Sequence, residues 1–583
     1  MVIHKVMSKG VFMTLGKALD RAASTYPDKE CAVYPEIGLR WTYSEFRKEV
    51  MLTARKLLNC GIETQENVAV WASNLPEWLV LQFATAKIGA VLVTVNTAYQ
   101  EKDLKYLLEQ SESSTLFLMD KFKKYSYVDI LENILPVVKR NGPQSESLPH
   151  LKRVVTIGES REFMGIPNLA DLPTGDILDE DVELVEALLD SSDPINIQYT
   201  SGTTGFPKGA VLTHDNIVTN ALAIGKNMKF SENDKIVLPN PLFHCFGCVI
   251  GTLLSMLYCG CVVFPNMYDP TKFVDEVLEA VHDEGCTTMY GTPSHFDRIL
   301  KSPDVRNYDL SSLRTGVIAG APCPLDLMEL IESYVPDITI GYGSTELSPI
   351  ITQTRIGDST ELRLNTVGKA IDLSGLYIKL IASDGTELVN TETGNVSGAN
   401  TLEDVEKGNI NRGVIWSKGP QVMSGYYNKP EATSEAIQDG WYNTGDIGTA
   451  ILVGEQVYFK ITGRAKEMII TGGENVYPTE IENVIREHPD VFDVAVYGIP
   501  DEGLGEVAVV SVIPKPEKEL TAENVRNFCI KSGMRKNYVP RLNLIEIRGT
   551  FPMTASGKIQ KFKLQKEATT KYGRNHLLER KTA

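Results

Sequence analysis

From residue 41 onward, short apolar, β-branched runs alternate with stretches in which hydrophobic and polar positions follow helical spacing. Short β-branched runs predict buried strands, such as Val68–Trp71 and Val91–Val95. Apolar residues at helical spacing predict a helix over Ser44–Asn59, which ends at Gly61. The same alternation continues through Glu77–Lys87, Lys235–Leu238, Lys272–His282, Thr287–Met289, Leu325–Tyr334 and Ile338–Ile340. This pattern predicts an α/β fold with parallel-type sheets covered by helices, which bind ligands at the carboxyl ends of strands.

The pattern changes after Gly463, where strands and helices become mixed. A chain of 583 residues is too long for one core. We therefore predict a large N-terminal domain over residues 1–465 and a small C-terminal α+β domain over 466–583. Thr479–Glu482 predicts a capping box that opens a helix. Residues 390–412 are polar, without an apolar period, and predict an irregular, mobile insertion.

Composition limits the partners. Hydrophobic residues make up 43% and charged residues 23% of the chain, and the formal net charge is −17. An acidic surface disfavours nucleic acid or anionic lipid as the main partner. Residues 236–268 lack charged side chains, but interrupting Pro and Asn residues favour a buried helix (Val249–Leu257) and strand (Cys261–Phe264) over a membrane span.

The cysteines and the termini give few positive signals. Nine cysteines, an odd number, favour reduced thiols in an intracellular compartment. Cys245 and Cys248 beside His244 could hold zinc, but their apolar surroundings favour buried, hydrophobic cysteines. The N-terminal residues show neither a secretory core nor a convincing mitochondrial presequence. The expected compartment is therefore intracellular, either mitochondrial or cytoplasmic.

The segment Tyr199–Gly209 is dense in hydroxyl residues and glycines and contains one lysine, Lys208. Glycine lets backbone N–H groups approach a polyanion, and lysine adds a mobile positive charge. Apolar residues on both sides predict that the segment links two strands. Pro207 and the spacing distinguish it from a P-loop. We predict a phosphate cradle formed by Thr200, Ser201, Gly202, Thr203, Thr204, Gly205, Phe206, Pro207 and Lys208.

Four further segments concentrate residues suited to chemistry. They are Gly341–Glu346 after a predicted strand, Trp441–Asp446 with a carboxylate after a glycine turn, Thr462–Lys466 at the proposed junction, and Pro552–Lys558. Each alone is more typical of a turn, a helix cap or a solvated charge.

In this order, the five motifs resemble the adenylate-forming superfamily of acyl-CoA synthetases, luciferases and peptide-synthetase adenylation domains. The resemblance runs from about residue 14 to residue 570. Finer matches resemble the medium-chain branch called acyl-CoA synthetase family member two; they are Asn96–Gln100, Pro239–Cys245, Tyr290–Pro293, Gly316–Gly320 and Ser556–Leu564. The resemblance implies a ligase of fatty acid metabolism that forms acyl-AMP and pyrophosphate from ATP, then acyl-CoA and AMP.

The resemblance also implies roles for individual residues in ATP binding. Glu346, after Thr345, would engage Mg²⁺, and the loop with Lys208 would hold the pyrophosphate portion. Lys558 would reach the α-phosphate and carboxylate oxygens when the small domain closes. The adenine and ribose contacts would come from Gly320, Ala321, Pro322, Tyr342, Gly343, Asp446 and Arg464.

The same resemblance places the hinge at Lys466, whose rotation would withdraw Lys558 and bring Gly472, Gly473 and Glu474 towards CoA. The implied acyl pocket contains His244, Phe246, Gly247, Tyr290, Gly291 and Thr292. A buried histidine satisfied by a backbone carbonyl is the alternative interpretation of His244. Cys248 stands where long-chain relatives carry a gating tryptophan, which leaves chain length open.

Other functions remain open. A ligase for aryl or branched acids would share the same motifs. A non-catalytic protein that binds nucleotide or acyl groups is disfavoured, because the charged residues assigned to ATP binding are all intact. These residues are Lys208, Glu346, Asp446, Arg464 and Lys558. Val414 departs from the glutamate that is usual in relatives, and the 390–412 insertion has no counterpart that we can place. The preferred acid and the oligomeric state are also open.

Overall fold

The computed structural model describes residues 13–122, 125–135, 138–139, 142–143, 148–159, 165–200, 207–265, 272–406, 410–472, 474–536, 538–553 and 559–572. The chain forms two compact units. The first unit contains Met1–Ile378 and Ser417–Tyr442, and the second contains Lys379–Trp416 and Asn443–Ala583. The domain boundary that we place between residues 465 and 466 stays a prediction.

A nine-stranded sheet dominates the first unit. Its strands lie in the order Lys369–Ala370, Thr352–Gln353, Asp337–Tyr342, Thr315–Ala319, Thr288–Gly291, Lys235–Val237, Cys261–Val263, Glu30–Tyr34 and Leu39–Thr42. The six strands from Asp337–Tyr342 to Glu30–Tyr34 are parallel. Their carboxyl ends therefore lie along one edge, as predicted for this fold class.

A seven-stranded sheet carries the phosphate-loop motif. Its order is Arg153–Thr156, Thr115–Leu118, Asn67–Trp71, Val91–Thr94, Pro194–Thr200, Lys208–Thr213 and Gly425–Tyr426. The first five strands are parallel. Lys208–Thr213 is antiparallel to both of its neighbours, so the motif links two strands as predicted.

Helices cover these sheets because their apolar faces need burial. Helix Tyr43–Asn59 begins with a capping box between Thr42 and Glu45. Among the described residues, the other α-helices of this unit are Leu15–Thr25, Pro76–Lys87, Glu101–Gln110, Tyr127–Ile134, Asp179–Ala187, His214–Asn227, Leu254–Tyr258, Phe273–Glu284, Pro293–Leu300, Leu325–Tyr334, Thr360–Asn365 and Pro430–Ala436.

The uncharged run is buried within the first unit. It forms a π-helix over Phe246–Leu253, which continues as the α-helix Leu254–Tyr258 and is followed by the strand Cys261–Val263. The predicted buried helix and strand are therefore confirmed. Within the described residues, no helix has the length and apolar character needed to cross a membrane.

The second unit combines two sheets. The unit contains most of one sheet, ordered Glu387–Asn390, Tyr377–Ile381, Gly413–Lys418 and Trp441–Val453, with Gln456–Arg464 beside the last strand. Glu387–Asn390 is antiparallel to Tyr377–Ile381, and Gln456–Arg464 is antiparallel to Trp441–Val453. The other sheet runs Glu474–Val476, Ile469–Thr471, Gly505–Pro514 and Val491–Asp501, with Ile545–Ile547 parallel to Gly505–Pro514. The helices are Leu402–Glu406, Pro478–Arg486, Ala522–Lys531 and Lys561–Tyr572.

The strand Val491–Asp501 places apolar side chains on both faces of its sheet. Val494 and Val496 enter one core cluster, whereas Ala495 and Tyr497 enter another. Successive side chains of a strand point to opposite faces, so one strand serves two cores. This arrangement accounts for the unbroken apolar sequence over these residues.

Two local predictions are wrong. The helix predicted to open with a capping box over Thr479–Glu482 instead begins at Pro478, after Tyr477, whose side chain makes no capping hydrogen bond. Proline suits the first helical position, since it lacks an N–H group to satisfy. The described part of 390–412 is not irregular throughout: Leu402–Glu406 is helical, and buried Asn400 donates its backbone N–H to the Ala450 carbonyl at 2.8 Å.

His214 is a buried titratable group at the start of helix His214–Asn227. Its Nδ1 accepts the backbone N–H of Leu15 at 3.1 Å, which leaves the ring proton on Nε2. Burial lowers the His214 pKa to about 3, so the neutral ring is the native form.

We predict that the first unit loses stability as the pH falls from 7 to 4.5. Below pH 6.5 the unfolded chain protonates this imidazole and the native chain does not, so acid favours unfolding. His214 contributes up to about 2–3 kcal/mol of this loss at pH 4.5. Urea unfolding followed by tryptophan fluorescence should show a shallower pH dependence in His214→Gln. Equal pH slopes for the variant and the wild type would contradict the assignment.

Candidate active site

The carboxyl edge of the nine-stranded sheet brings predicted adenine-binding residues together. Ala319 pairs with Gly341 in the parallel register, so the segments that follow both strands leave the sheet side by side. One segment is Gly320–Pro322 and the other begins at Tyr342, which is half-buried. Thr292 follows the next parallel strand at the same edge. The adenine slot that the resemblance implies is therefore sterically consistent with this sheet.

At two positions of this edge, the backbone leaves room only for glycine. Gly320 has a φ of +90°, a conformation that L-residues with side chains rarely adopt. A Cβ on Gly343 would lie 2.0 Å from the Pro349 carbonyl oxygen, closer than real atoms approach. The chain then turns into the short 3₁₀ helix Thr345–Leu347.

Lys208 begins the second strand of the phosphate-loop hairpin. It pairs with Thr200, the last residue of the first strand. The Tyr106 hydroxyl donates to the Pro207 carbonyl at 3.0 Å, which fixes the approach to Lys208. The cradle residues between the two strands, Ser201, Gly202, Thr203, Thr204, Gly205 and Phe206, lie outside the described residues.

Glu346 is a buried carboxylate in the first unit, 8% exposed. The Tyr426 hydroxyl donates to Glu346 Oε1 at 3.0 Å, and the Met423 N–H donates to the Glu346 carbonyl at 2.9 Å. Lys208 Nζ lies 4.8 Å from the centroid of the same Tyr426 ring. Tyr426 thus contacts both charged residues, and the sequence analysis missed it because the Gly-Tyr-Tyr run carries no charge.

The implied acyl-pocket residues surround the first turn of the π-helix. The His244 carbonyl accepts the N–H groups of Gly247 at 2.8 Å and Cys248 at 3.0 Å, and its side chain is half-buried. The Phe246 and Tyr290 rings stack at a centroid distance of 6.0 Å. These contacts place the residues near one another.

The remaining two members of that set follow Tyr290 directly. Gly291 ends its strand, and a Cβ there would approach His295 Cβ at 3.0 Å. Thr292 precedes helix Pro293–Leu300, and its hydroxyl lies 2.8 Å from that of Ser294.

Gln198 links the two cysteines of the Cys-x-x-Cys pair. Cys245 Sγ donates to Gln198 Oε1 at 2.8 Å, and Gln198 Nε2 donates to Cys248 Sγ at 3.1 Å. Burial raises the pKa of the Cys245 thiol to about 12. Both thiols are therefore hydrogen-bonded to one amide side chain. Within the described ranges, no cluster of three metal-ligating side chains occurs.

The predicted ribose residues form an ion pair within the second unit. Asp446 faces Arg464 across antiparallel strands, with 2.9 Å between Arg464 Nε and Asp446 Oδ1. The Asp446 side chain is 7% exposed, whereas that of Arg464 is 49% exposed. Arg464 therefore orients an acceptor while about half of its side chain faces solvent.

Lys466 is exposed in the turn that follows Arg464. The N–H groups of Glu467 and Met468 both donate to the Arg464 carbonyl at 3.0 Å, which closes the turn. Gly472 has a φ of +60° and donates its N–H to the Leu504 carbonyl at 2.8 Å.

Glu474, Gly473 and Lys558 are the other residues assigned to the mobile domain. Glu474 is exposed at the start of strand Glu474–Val476. Gly473 and Lys558 lie outside the described residues. Lys561 Nζ pairs with Glu467 at 3.2 Å and Glu482 at 2.8 Å, which ties helix Lys561–Tyr572 to the turn after Arg464.

Comparison with known proteins identifies the class. The AMP-binding enzyme family matches residues 19–427, and its C-terminal domain matches residues 480–558. Bacillus subtilis YngI, provisionally named an acyl-CoA synthetase, is 41% identical over 96% of this chain and 98% of its own. The Bos taurus mitochondrial medium-chain acyl-CoA ligase ACSF2 is 36% identical over 95% of this chain and 87% of its own.

A solved structure agrees in fold. The anthranilate-CoA ligase AuaEII, crystallised with anthranoyl-AMP, superposes with a TM-score of 0.79 over 96% of this chain and 98% of its own, at 24% identity. The chain belongs to the AMP-binding enzyme family, and its class is that of the acid–thiol ligases.

We predict that Gly247→Ala weakens binding of the acid substrate. A Cβ at Gly247 would lie 2.2 Å from the Pro241 carbonyl oxygen, so the backbone next to His244 and Phe246 must shift. The KM for the acid should rise by about tenfold or more, with a smaller change for ATP. The matched control is Gly549→Ala, where an added Cβ meets nothing within 4 Å. An unchanged acid KM in Gly247→Ala would contradict the pocket assignment.

Proposed function

We propose that this protein is an ATP-dependent acyl-CoA ligase that acts on medium-chain fatty acids. The substrate carboxylate attacks the α-phosphorus of ATP and releases pyrophosphate, which forms acyl-AMP. The CoA thiol then attacks the acyl carbonyl carbon and releases AMP. The main supporting observation is the contact of Lys208 and Glu346 with one tyrosine, since this arrangement provides a fixed cation and a fixed carboxylate in one unit.

Lys208 and Glu346 suit the first step for complementary reasons. Charge gathers on phosphate oxygens when pyrophosphate leaves, and a positioned ammonium group stabilises that charge. The buried Glu346 carboxylate supplies the hard oxygen ligand that Mg²⁺ prefers, so the residue fits this ion. Bound Mg²⁺ would neutralise phosphate charge. Thr345, beside Glu346, and Lys558 complete the set of four residues that we assign to catalysis.

The paired Asp446 and Arg464 suit the ribose. A carboxylate accepts two hydrogen bonds at once, as the vicinal ribose hydroxyls require. The ion pair fixes the orientation of Asp446 before ribose binds. We assign the adenine contacts to Tyr342, Gly343 and Gly320–Pro322, on the basis of their shared sheet edge.

Ligation of aryl or branched acids is the competing proposal. The structural resemblance to an anthranilate-CoA ligase keeps it in view, while the curated relative ACSF2 bears a medium-chain name. The stacked Phe246 and Tyr290 rings could flank either an acyl chain or an aromatic ring.

The compartment also belongs to the proposal: we expect an intracellular protein, mitochondrial or cytoplasmic.

A substrate panel tests the acid preference. We expect CoA-dependent AMP formation to be fastest with acids of about 6–12 carbons and at least tenfold slower with acetate, palmitate and benzoate. Coupled assays of AMP and direct detection of each acyl-CoA measure this preference. A maximum with benzoate or a branched acid would replace the medium-chain assignment. Absence of CoA-dependent product with every acid would contradict ligase function.

The proposed motion of the small domain separates the two half-reactions. We predict that Lys558→Ala slows acyl-AMP formation at least a hundredfold but slows CoA transfer to supplied acyl-AMP less than tenfold. Lys466→Pro should show the reverse pattern, because proline restricts φ in the turn that follows Arg464. Single-turnover assays of each half-reaction provide the comparison. Equal losses in both half-reactions would contradict the hinge at Lys466.

A further inference from the structure

Backbone contacts in the first unit fix the position of Tyr426, although the residue follows a glycine. Gly425 and Tyr426 form an edge strand in which Tyr426 pairs with Ala210, two residues from Lys208. The Tyr426 N–H donates to Thr433 Oγ1 at 2.9 Å. Gly425 has a φ of +147°, and a Cβ there would lie 2.8 Å from Thr433 Cγ2. The backbone therefore fixes the direction in which the ring leaves the strand.

The Tyr426 side chain presents two different surfaces to two charges. Its ring face lies 4.8 Å from Lys208 Nζ, within the range of a cation–π contact. Its hydroxyl donates to Glu346 Oε1 at 3.0 Å. A phenol has one O–H group to donate, and here that group points to the Glu346 carboxylate.

We propose that Tyr426 is a positioning residue, which holds Glu346 for Mg²⁺ through its hydroxyl and holds Lys208 for phosphate through its ring. This inference rests on the proposed ATP-dependent function. The two parts of the side chain thereby act on two parts of one ligand. The hydroxyl controls the Mg²⁺-dependent portion of ATP binding, and the ring controls the portion that needs no metal.

Two substitutions separate these actions. Tyr426→Phe removes the hydroxyl and retains the ring beside Lys208. Tyr426→Leu removes both. We expect Tyr426→Phe to bind ATP normally in EDTA but to lose about tenfold of the strengthening that Mg²⁺ provides, as expected for a lost hydrogen bond to a charged group. Tyr426→Leu should lose the same Mg²⁺ effect and also bind metal-free ATP about threefold or more weakly.

The next residue supplies a matched control. The Tyr427 hydroxyl also donates to a carboxylate, Glu112 Oε2, at 3.2 Å, but neither residue belongs to the proposed site. Tyr427→Phe should therefore bind ATP like the wild type with and without Mg²⁺. Glu346→Gln tests the coupling between Tyr426 and Glu346. Mg²⁺ should strengthen ATP binding almost as much in the double variant with Tyr426→Phe as in Glu346→Gln alone.

Isothermal titration calorimetry of ATP, with Mg²⁺ or with EDTA, measures these effects without turnover. A selective loss of the Mg²⁺ effect in Tyr426→Phe, with no loss in Tyr427→Phe, supports the inference. Equal Mg²⁺ effects in Tyr426→Phe and the wild type overturn it. If the wild type binds no ATP, the proposed function itself fails. Circular dichroism checks folding, and the isosteric phenylalanine variant decides the inference if the leucine variant does not fold.

Discussion

The strand Lys208–Thr213 is the constraint on which the proposed catalytic centre depends. It is hydrogen-bonded on one side to Pro194–Thr200 and on the other to Gly425–Tyr426. This double pairing brings residues more than two hundred positions apart onto adjacent strands. Because a strand register fixes both the position and the face of each side chain, the backbone pairing of these two strands brings the side chains of Lys208 and Tyr426 together.

Backbone hydrogen bonds also connect these paired strands to Glu346. The Met423 N–H donates to the Glu346 carbonyl at 2.9 Å, and the Ser424 N–H donates to the Val211 carbonyl at the same distance. The short segment before Tyr426 thus joins the phosphate-loop hairpin to the turn after the nine-stranded sheet. Charged groups held in this way need little reorganisation when a polyanion binds, which is the condition for strong electrostatic stabilisation.

The sequence predicted the fold class because its signals are local and repeated. Short apolar runs and helical spacing located many of the strands and helices, and the carboxyl edge of the parallel sheet carries Tyr342 and Gly320–Pro322. Prediction was weaker where a competing local interaction decided the structure. Pro478 displaced the expected capping box, and Asn400 anchored an insertion whose composition indicated irregular structure.

The site was predictable only as far as its residues carry distinctive chemistry. Lys208, Asp446 and Arg464 stand out as charges next to glycines, and Glu346 as a charge three residues after one. Tyr426 and Gln198 do not, since a tyrosine after glycine or a glutamine in an apolar strand has many structural uses. Their contacts depend on tertiary register, which a single sequence does not contain.

Acid-dependent exchange of labelled pyrophosphate into ATP, measured without CoA, tests the central claim most directly. The account predicts exchange that requires both Mg²⁺ and a fatty acid, because acyl-AMP formation is reversible and precedes the thiol step. It also predicts that Lys208→Ala reduces the exchange at least a hundredfold. Release of ADP and inorganic phosphate in place of exchange, or exchange that occurs only when CoA is present, would contradict an adenylating mechanism.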